Sequence, residues 1–462
     1  MMGHREKQQA ELFYEFSLEG HVPQDHLLRS IDRFVDLTSV RDHLKPFYSH
    51  TGRPSVDPEL MIRMLLVGYI NGIRSERRLC EEVHLNLAYR WFCRLDLTDP
   101  VPDHSTFSKN RHGRFRESNL LRMVFEAVVA RCIEEGVVGG EHFASDASLI
   151  EADANKQNST AKEDWDPDKI NPEIASRAVK DYLFSLDDEA FGAATDVVPK
   201  FTSHSDPSSQ WTAARHGPAF FAYSNNYLID TDHAIIVDVQ ASRSVRTGET
   251  YATRTMIERA HERFGLWPER LIADTAYGSA EMLAWLVYDW GIEPHIPVID
   301  KSKRDDGTFS REDFAYERET DSYVCPAGKQ LLRNRRKFQT IRADQSDLDF
   351  VKYGAAKADC EACALRQQCC PKGAPRRLLR SKYEGARQMA RDIAKTEDYA
   401  ISCKLRKKVE MLFAHLKRIL GLRRLRLRGP NGANDEFLIA ATAQNLRKLA
   451  KLFPGGPKPQ TA

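Results

Sequence analysis

The chain has 462 residues, 42% of them hydrophobic and 29% charged, and a formal net charge of +2. That length exceeds one ordinary core and predicts two or three domains. The composition is that of a globular protein, and no run of about 18 apolar residues offers a membrane span. Residues 1–16 are charged and lack the apolar core of a signal peptide, so a cytoplasmic protein is expected.

The charge is unevenly spread. Ten Lys or Arg and one acidic residue lie between Lys404 and Arg428, whereas residues 151–200 hold twelve acidic and six basic residues. A basic block in a nearly neutral chain suggests a local polyanion site, weighed against a merely solvated helix face.

The first 130 residues read as helical. Asp57-Pro58 offers an N-cap with proline at the first helical position, and ELMIRMLLVGYING continues at helical spacing to Gly72. SERRLCEEV starts a second helix after Ser75. NLAYRWFCRL follows, and then a short basic helix capped by Asp103, Ser105 or Thr106, with Lys109, Arg111, Arg114 and Arg116. Short helices ending in a basic one fit a helix-turn-helix-like DNA-binding module; a plain bundle with a polar face is the alternative.

From about Gly140 the period changes. EHFASDASLIEA reads as a strand that carries Asp146 late, and residues 154–173 read as a mobile polar loop. FFAYSNNYLIDTDHAIIVDVQASRS gives two strands joined at Asp230–Asp232. A helix (TYATRTMIERAHERFG), a strand and turn (RLIADTAYGS) and another helix (SAEMLAWLVYDWG) follow. This order predicts an α/β sheet with flanking helices. Asp274 stands where its strand meets the turn, and ligands of open α/β sheets bind at carboxyl ends of strands. An aspartate there is more often a cap than a catalyst. Residues 301–394 break the rhythm and read as a polar insertion. Helices are then expected at about 403–420 and 434–452, and a disordered tail at 453–462.

On the first of those helices, Cys403, Arg406, Glu410 and Lys417 share one stripe. Val409, Leu412, Phe413, Leu416 and Leu420 form the adjoining apolar arc, and Lys404, Lys407, Lys408, His415 and Arg418 face away. Glu410 therefore sits at a seam between core and cleft. It can reach a metal, and Arg406 and Lys417 can reach phosphates. An intrahelical Arg406–Glu410 pair is the bland alternative.

The nine cysteines do not suggest a disulfide framework. Cys80, Cys93 and Cys132 read as ordinary buried thiols. Cys360, Cys363 and Cys369, with Cys370 adjacent and Cys325 as the fourth ligand, could hold a structural Zn²⁺; reduced thiols without metal are the alternative.

The segment CKLRKKVEMLFAHLK resembles the Y-x2-R-x3-E-x6-K signature of a large group of bacterial insertion-sequence transposases of the DDE type. Arg406, Glu410 and Lys417 fill three of its places, and Cys403 stands where Tyr is usual. GRPSVDPELMIRMLLVGYINGIRSERRL, DASLIEADANK, IADTAYGS and KRILGLRRLRLRG are similar to further segments of that family, so the likeness spans roughly 20–155 and 225–450.

The resemblance implies a ribonuclease-H-like catalytic domain at 131–300 and 395–452. An all-α DNA-binding domain at 1–130 precedes it and the Cys-containing insertion at 301–394 interrupts it. It also implies Asp146, Asp274 and Glu410 as metal-binding residues, with Glu151 and Asp153 as competitors of Asp146. Carboxylates alone favour Mg²⁺ or Mn²⁺, and two such ions can clamp an in-line phosphoryl displacement. Arg406, Lys417, Arg423, Arg424, Arg426, Arg428, Lys109 and Arg111 are the expected phosphate contacts. The expected partners are double-stranded DNA, both element ends and target, and a second copy of the chain during synapsis. The expected location is the bacterial nucleoid. The alternatives are a nuclease that never joins strands, an inactive domesticated DNA-binding protein, and a metal-independent regulator.

Overall fold

Asp57 and Pro58 begin helix α1 (Pro58–Ile70) as the sequence requires: the Asp57 carboxylate accepts from the Glu59 amide at 2.9 Å, and proline occupies a position with no helical N–H partner. The structure is a computed structural model and describes residues 16–49, 51, 55–194, 200–213, 217–300, 306–333 and 350–455. Most of the expected disordered tail lies outside the described residues. Helices α2 (Glu76–Leu85), α3 (Leu87–Phe92) and α4 (His104–His112) are capped by Ser75, Asn86 and Asp103. Helix α5 (Leu120–Glu134) completes the helical N-terminal region.

The chain forms two compact units. One comprises residues 1–140, 145–267 and 407–462, and the other 141–144 and 268–406. Strand β1 (His142–Glu151) and helix α8 (Glu397–Arg418) each pass from one unit to the other.

In the first unit β2 (Gln210–Ala213), β3 (Ala219–Asp230) and β4 (Ile235–Arg243) are antiparallel, and β3 also neighbours β1. The β3–β4 hairpin pairs Tyr223 with Arg243 and Asp230 with Ile235, with a bulge after Leu228. β4 is buried almost throughout, because α6 (Arg246–Phe264) and α9 (Gly429–Leu452) both pack on it. α9 is a buried helix, and its polar residues have assigned work. Asn445 accepts from the Ile236 amide at 2.9 Å and donates to its carbonyl at 2.8 Å, which satisfies backbone groups that burial would otherwise penalise. α1 and α5 also pack on α9, which joins the helical region to the sheet.

In the second unit residues 142–144 of β1 pair in parallel with β5 (Arg270–Ile272), and β5 with β6 (Glu293–His295). Ala280–Ala284 is helical and continues as a π-turn over Trp285–Asp289, giving the strand–helix–strand rhythm of a parallel sheet. Beyond it lies an antiparallel meander of β7 (Ala315–Glu317), β8 (Ser322–Val324), β9 (Gln330–Arg333), β10 (Phe350–Ala355) and β11 (Arg377–Ser381). Phe314, Tyr323, Leu331, Tyr353, Cys369 and Leu378 form its core. Helix α7 (Glu384–Ile393) follows. The protein is thus a mixed α/β fold with a helical N-terminal region.

One expectation needs correction. Residues 154–173 are not a featureless loop. Ser159–Ala161 pairs with Phe201–Ser203, and the Trp165 indole N–H donates to Tyr182 Oη at 3.2 Å. An aromatic anchor and a two-stranded ribbon order a segment whose composition is that of a loop.

Candidate active site and nucleic-acid interface

β1 presents alternate residues to opposite faces, so Asp146 and Ser148 share one face. Asp146 is half-buried and one of its carboxylate oxygens accepts from the Ala147 amide at 2.8 Å. On α8, Val409, Phe413, Leu416 and Leu420 are buried, as the apolar arc predicts. Phe413 stacks on Tyr227 of β3 with ring centroids 4.8 Å apart. This packing leaves Glu410 exposed at the edge of the buried arc. Seven residues on, two helical turns, Lys417 Nζ donates to Ser148 Oγ at 2.7 Å. This bond joins α8, seven residues after Glu410, to β1, two residues after Asp146. Burial lowers the Lys417 pKa below its ordinary value. Ser148 was not singled out from sequence; its place two residues after Asp146 was the available signal.

The arc read as facing away from the core needs correction at two positions. Lys408 donates to the carbonyl oxygens of Thr231 and Asp232, and His415 Nδ1 lies 3.2 Å from Gln444 Nε2. Both side chains are held by the β3–β4 turn or by α9 rather than left in solvent.

Asp274 belongs to the second unit. It is half-buried at the end of β5 and caps the turn Thr275–Tyr277, accepting from the Ala276 amide at 2.7 Å. Gly278 closes this turn where no side chain fits, since a Cβ would collide with the Pro297 carbonyl oxygen. The competitors of Asp146 are engaged elsewhere. Asp153 pairs with Arg424 at 3.1 Å and Arg428 at 2.9 Å, and Glu151 lies 3.6 Å from Arg424.

The basic segment after α8 alternates: Leu422, Leu425 and Leu427 are buried, while Arg423, Arg424, Arg426 and Arg428 are exposed. Its backbone is stitched to the end of β1, where the Glu151 amide donates to the Arg423 carbonyl at 3.1 Å and the Leu425 amide to the Glu151 carbonyl at 2.7 Å. Glu436 of α9, 1% exposed, fixes the other side by accepting from the Arg426 and Leu427 amides, both at 2.6 Å. A row of guanidinium groups on a tethered extended backbone suits a phosphate chain. Arg406 is half-buried on α8 and Lys109 is exposed on α4. Arg111 departs from expectation: it is buried and pairs with Glu76 at 3.0 Å, so it does not stand on the surface as a phosphate contact.

The thiols of Cys325, Cys360, Cys363, Cys369 and Cys370 line one small cavity in the second unit. Burial raises the Cys360 thiol above its ordinary value. Burial pushes the Cys369 thiol up to about 11, partly offset by Arg376. Cys80, Cys93 and Cys132 are separate, the last two buried, as expected. Among the described residues no group of three or more His, Cys, Asp or Glu side chains is drawn together so as to hold a metal ion. Also among the described residues, no helix is long and apolar enough to cross a membrane.

Two family models match the chain. One, described as a transposase domain (DUF772), covers residues 16–113; the other, a transposase DDE domain, covers 324–450. No curated protein matches it. The DDE match places the chain among nucleic-acid-cleaving enzymes that act on DNA and depend on divalent metal. With both matches describing transposase domains, the chain is an insertion-sequence transposase of the DDE type.

Proposed function

We propose that Asp146, Asp274 and Glu410 are the catalytic carboxylates of a ribonuclease-H-like domain. In this reading they would hold a pair of Mg²⁺ or Mn²⁺ ions, and the chain cleaves DNA at the element ends and transfers the strand into target DNA. The Lys417–Ser148 bond supports this most directly, because it ties the helix of Glu410 to the strand of Asp146. Asp146 and Asp274 each follow by two residues the last parallel pair, Ala144 and Ile272. Glu410 also lies inside the matched DDE region, which the two aspartates precede.

Three carboxylates supply only oxygen donors, which fits a hard divalent cation. Such ions, when bound, polarise the phosphoryl group and acidify an attacking water. The chain's own part is positioning. Lys417 donates to a non-bridging phosphate oxygen beside the carboxylates, Arg406 contacts a neighbouring phosphate, and Arg423, Arg424, Arg426 and Arg428 track the backbone. The attacking groups are water and then the freed 3′-hydroxyl, so no covalent enzyme–DNA intermediate is required.

Residues 1–130 recognise element ends in this reading. Residues 131–300 with 395–452 form the catalytic domain, and 301–394 its insertion. Joining two ends calls for two copies of the chain at the nucleoid. The thiols of Cys325, Cys360, Cys363 and Cys369 suit a structural Zn²⁺ by donor chemistry. Incubating the protein with an element-end duplex, a target plasmid and Mg²⁺ tests the reading. Joined products are expected; cleavage without any joining would mark a nuclease instead.

A further inference from the structure

Arg74 follows the turn that ends α1 and is not among the phosphate contacts expected from the sequence. Its side chain is 9% exposed, stacks over the Tyr69 ring at 4.0 Å, and pairs with Glu436. Among the described residues, its Nε and Nη1 are buried and have no hydrogen-bond partner. Glu436 cannot supply more, because its other oxygen is taken by the Arg426 and Leu427 amides. A guanidinium offers five N–H donors in a planar fork, and a buried charged donor left unpaired is costly. The natural remedy is an anion that brings oxygen acceptors.

The surroundings have room and charge for one. Arg74 and Arg426 line both a cavity of about 270 Å³, which Arg111 and His112 also line, and a cleft of about 420 Å³ with Arg423 and Arg424. Arg111 is neutralised by Glu76, and burial pushes His112 down to about 4, so at neutral pH the histidine adds no charge. The cleft holds four arginines against one carboxylate, Asp153, itself bound by Arg424 and Arg428.

Two glycines build the site. Gly72 and Gly421 adopt φ of +70° and +67°, and a Cβ on Gly72 would come 2.8 Å from the Ile419 carbonyl oxygen. This close approach brings Arg74, from the helical region, to the basic segment after α8.

We propose that Arg74 is a phosphate-binding residue which, with Arg426 and Arg423, grips one phosphodiester of duplex DNA. The helical region and the basic segment thereby hold the same stretch of backbone. The inference rests on the chain acting on DNA, but not on the assignment of the three carboxylates.

The test is binding of a random-sequence duplex of about 25 base pairs in EDTA, followed by fluorescence anisotropy across a range of KCl. Without divalent metal there is no cleavage, so failure of the proposed active site cannot be confused with failure here. Arg74→Gln should reduce the slope of log affinity against log salt by about one phosphate contact, roughly 0.9. Affinity at low salt should fall about tenfold. An Arg74→Gln protein that melts with wild type and keeps its slope overturns the proposal. Should Arg74→Gln not fold, Arg74→Lys decides: a retained slope with a several-fold affinity loss, from a lost fork, supports it. Affinity and slope both equal to wild type overturn it.

Discussion

Lys417 Nζ donates to Ser148 Oγ at 2.7 Å, and this one bond ties the helix of Glu410 to the strand of Asp146. Lys417 is partly buried, so its ammonium is fixed against β1 by geometry rather than left in solvent. Lys417→Gln should lower DNA cleavage about 10- to 100-fold, the worth of a hydrogen bond to a charged group, and change duplex affinity little. Ser148→Ala frees the ammonium and should cost only a few-fold. Wild-type cleavage by Lys417→Gln would remove lysine from the site.

The arginine row predicts a salt effect. Replacing Arg423, Arg424, Arg426 and Arg428 with Ala should reduce the salt slope of duplex binding by about 3–4. Asp153 holds two of these arginines, at 3.1 and 2.9 Å. Asp153→Asn should release them and tighten binding a few-fold at low salt, with the gain fading as salt screens it. Weaker binding by Asp153→Asn would show that the pairs shape the segment instead.

Much of this was legible in the sequence. Asp57-Pro58, Ser75 and Asp103 mark helix starts because capping chemistry is local, and the α8 wheel places Val409, Phe413, Leu416 and Leu420 in the core. What escaped depends on distant partners. Strands of the insertion such as Ala315–Glu317 and Ser322–Val324 are too short to show a period. Arg111 looked like a surface cation because nothing nearby in sequence reveals that Glu76 neutralises it. Lys408 and His415 fell on the outer arc of an isolated helix, whereas the β3–β4 turn and α9 close over that arc.

Asp206 predicts a pH dependence. It is fully buried, accepts from Tyr223 Oη at 2.5 Å, and burial pushes its carboxyl up to about 7. The folded pKa lies above the unfolded value near 3.9, so the folded state binds the proton more tightly. Its stabilisation is complete below about pH 4 and is lost as pH rises through 7, up to about 4 kcal/mol in all. Asp206→Asn should remove this loss, so that thermal denaturation shows a larger gain over wild type at pH 8 than at pH 5. An equal difference at both values would exclude Asp206 as the titrating group.

The thiol cavity is expected to bind zinc independently of the carboxylates. Protein purified without chelator should contain about one equivalent of zinc, and Cys360→Ser or Cys363→Ser should lose it together with stability of the β7–β11 meander. Less than about a tenth of an equivalent in protein whose meander is intact would leave these as reduced, partly buried thiols.

Asp146, Asp274 and Glu410 are expected to act as one site. The most direct measurement is Mg²⁺-dependent cleavage of an element-end duplex by Asp146→Asn, Asp274→Asn and Glu410→Gln, each beside its own DNA affinity. Each substitution keeps shape and removes one charge. Cleavage should fall at least about a thousandfold in all three, while affinity in EDTA stays within a few-fold of wild type. Glu410→Gln cleaving at the wild-type rate with wild-type affinity would contradict the assignment.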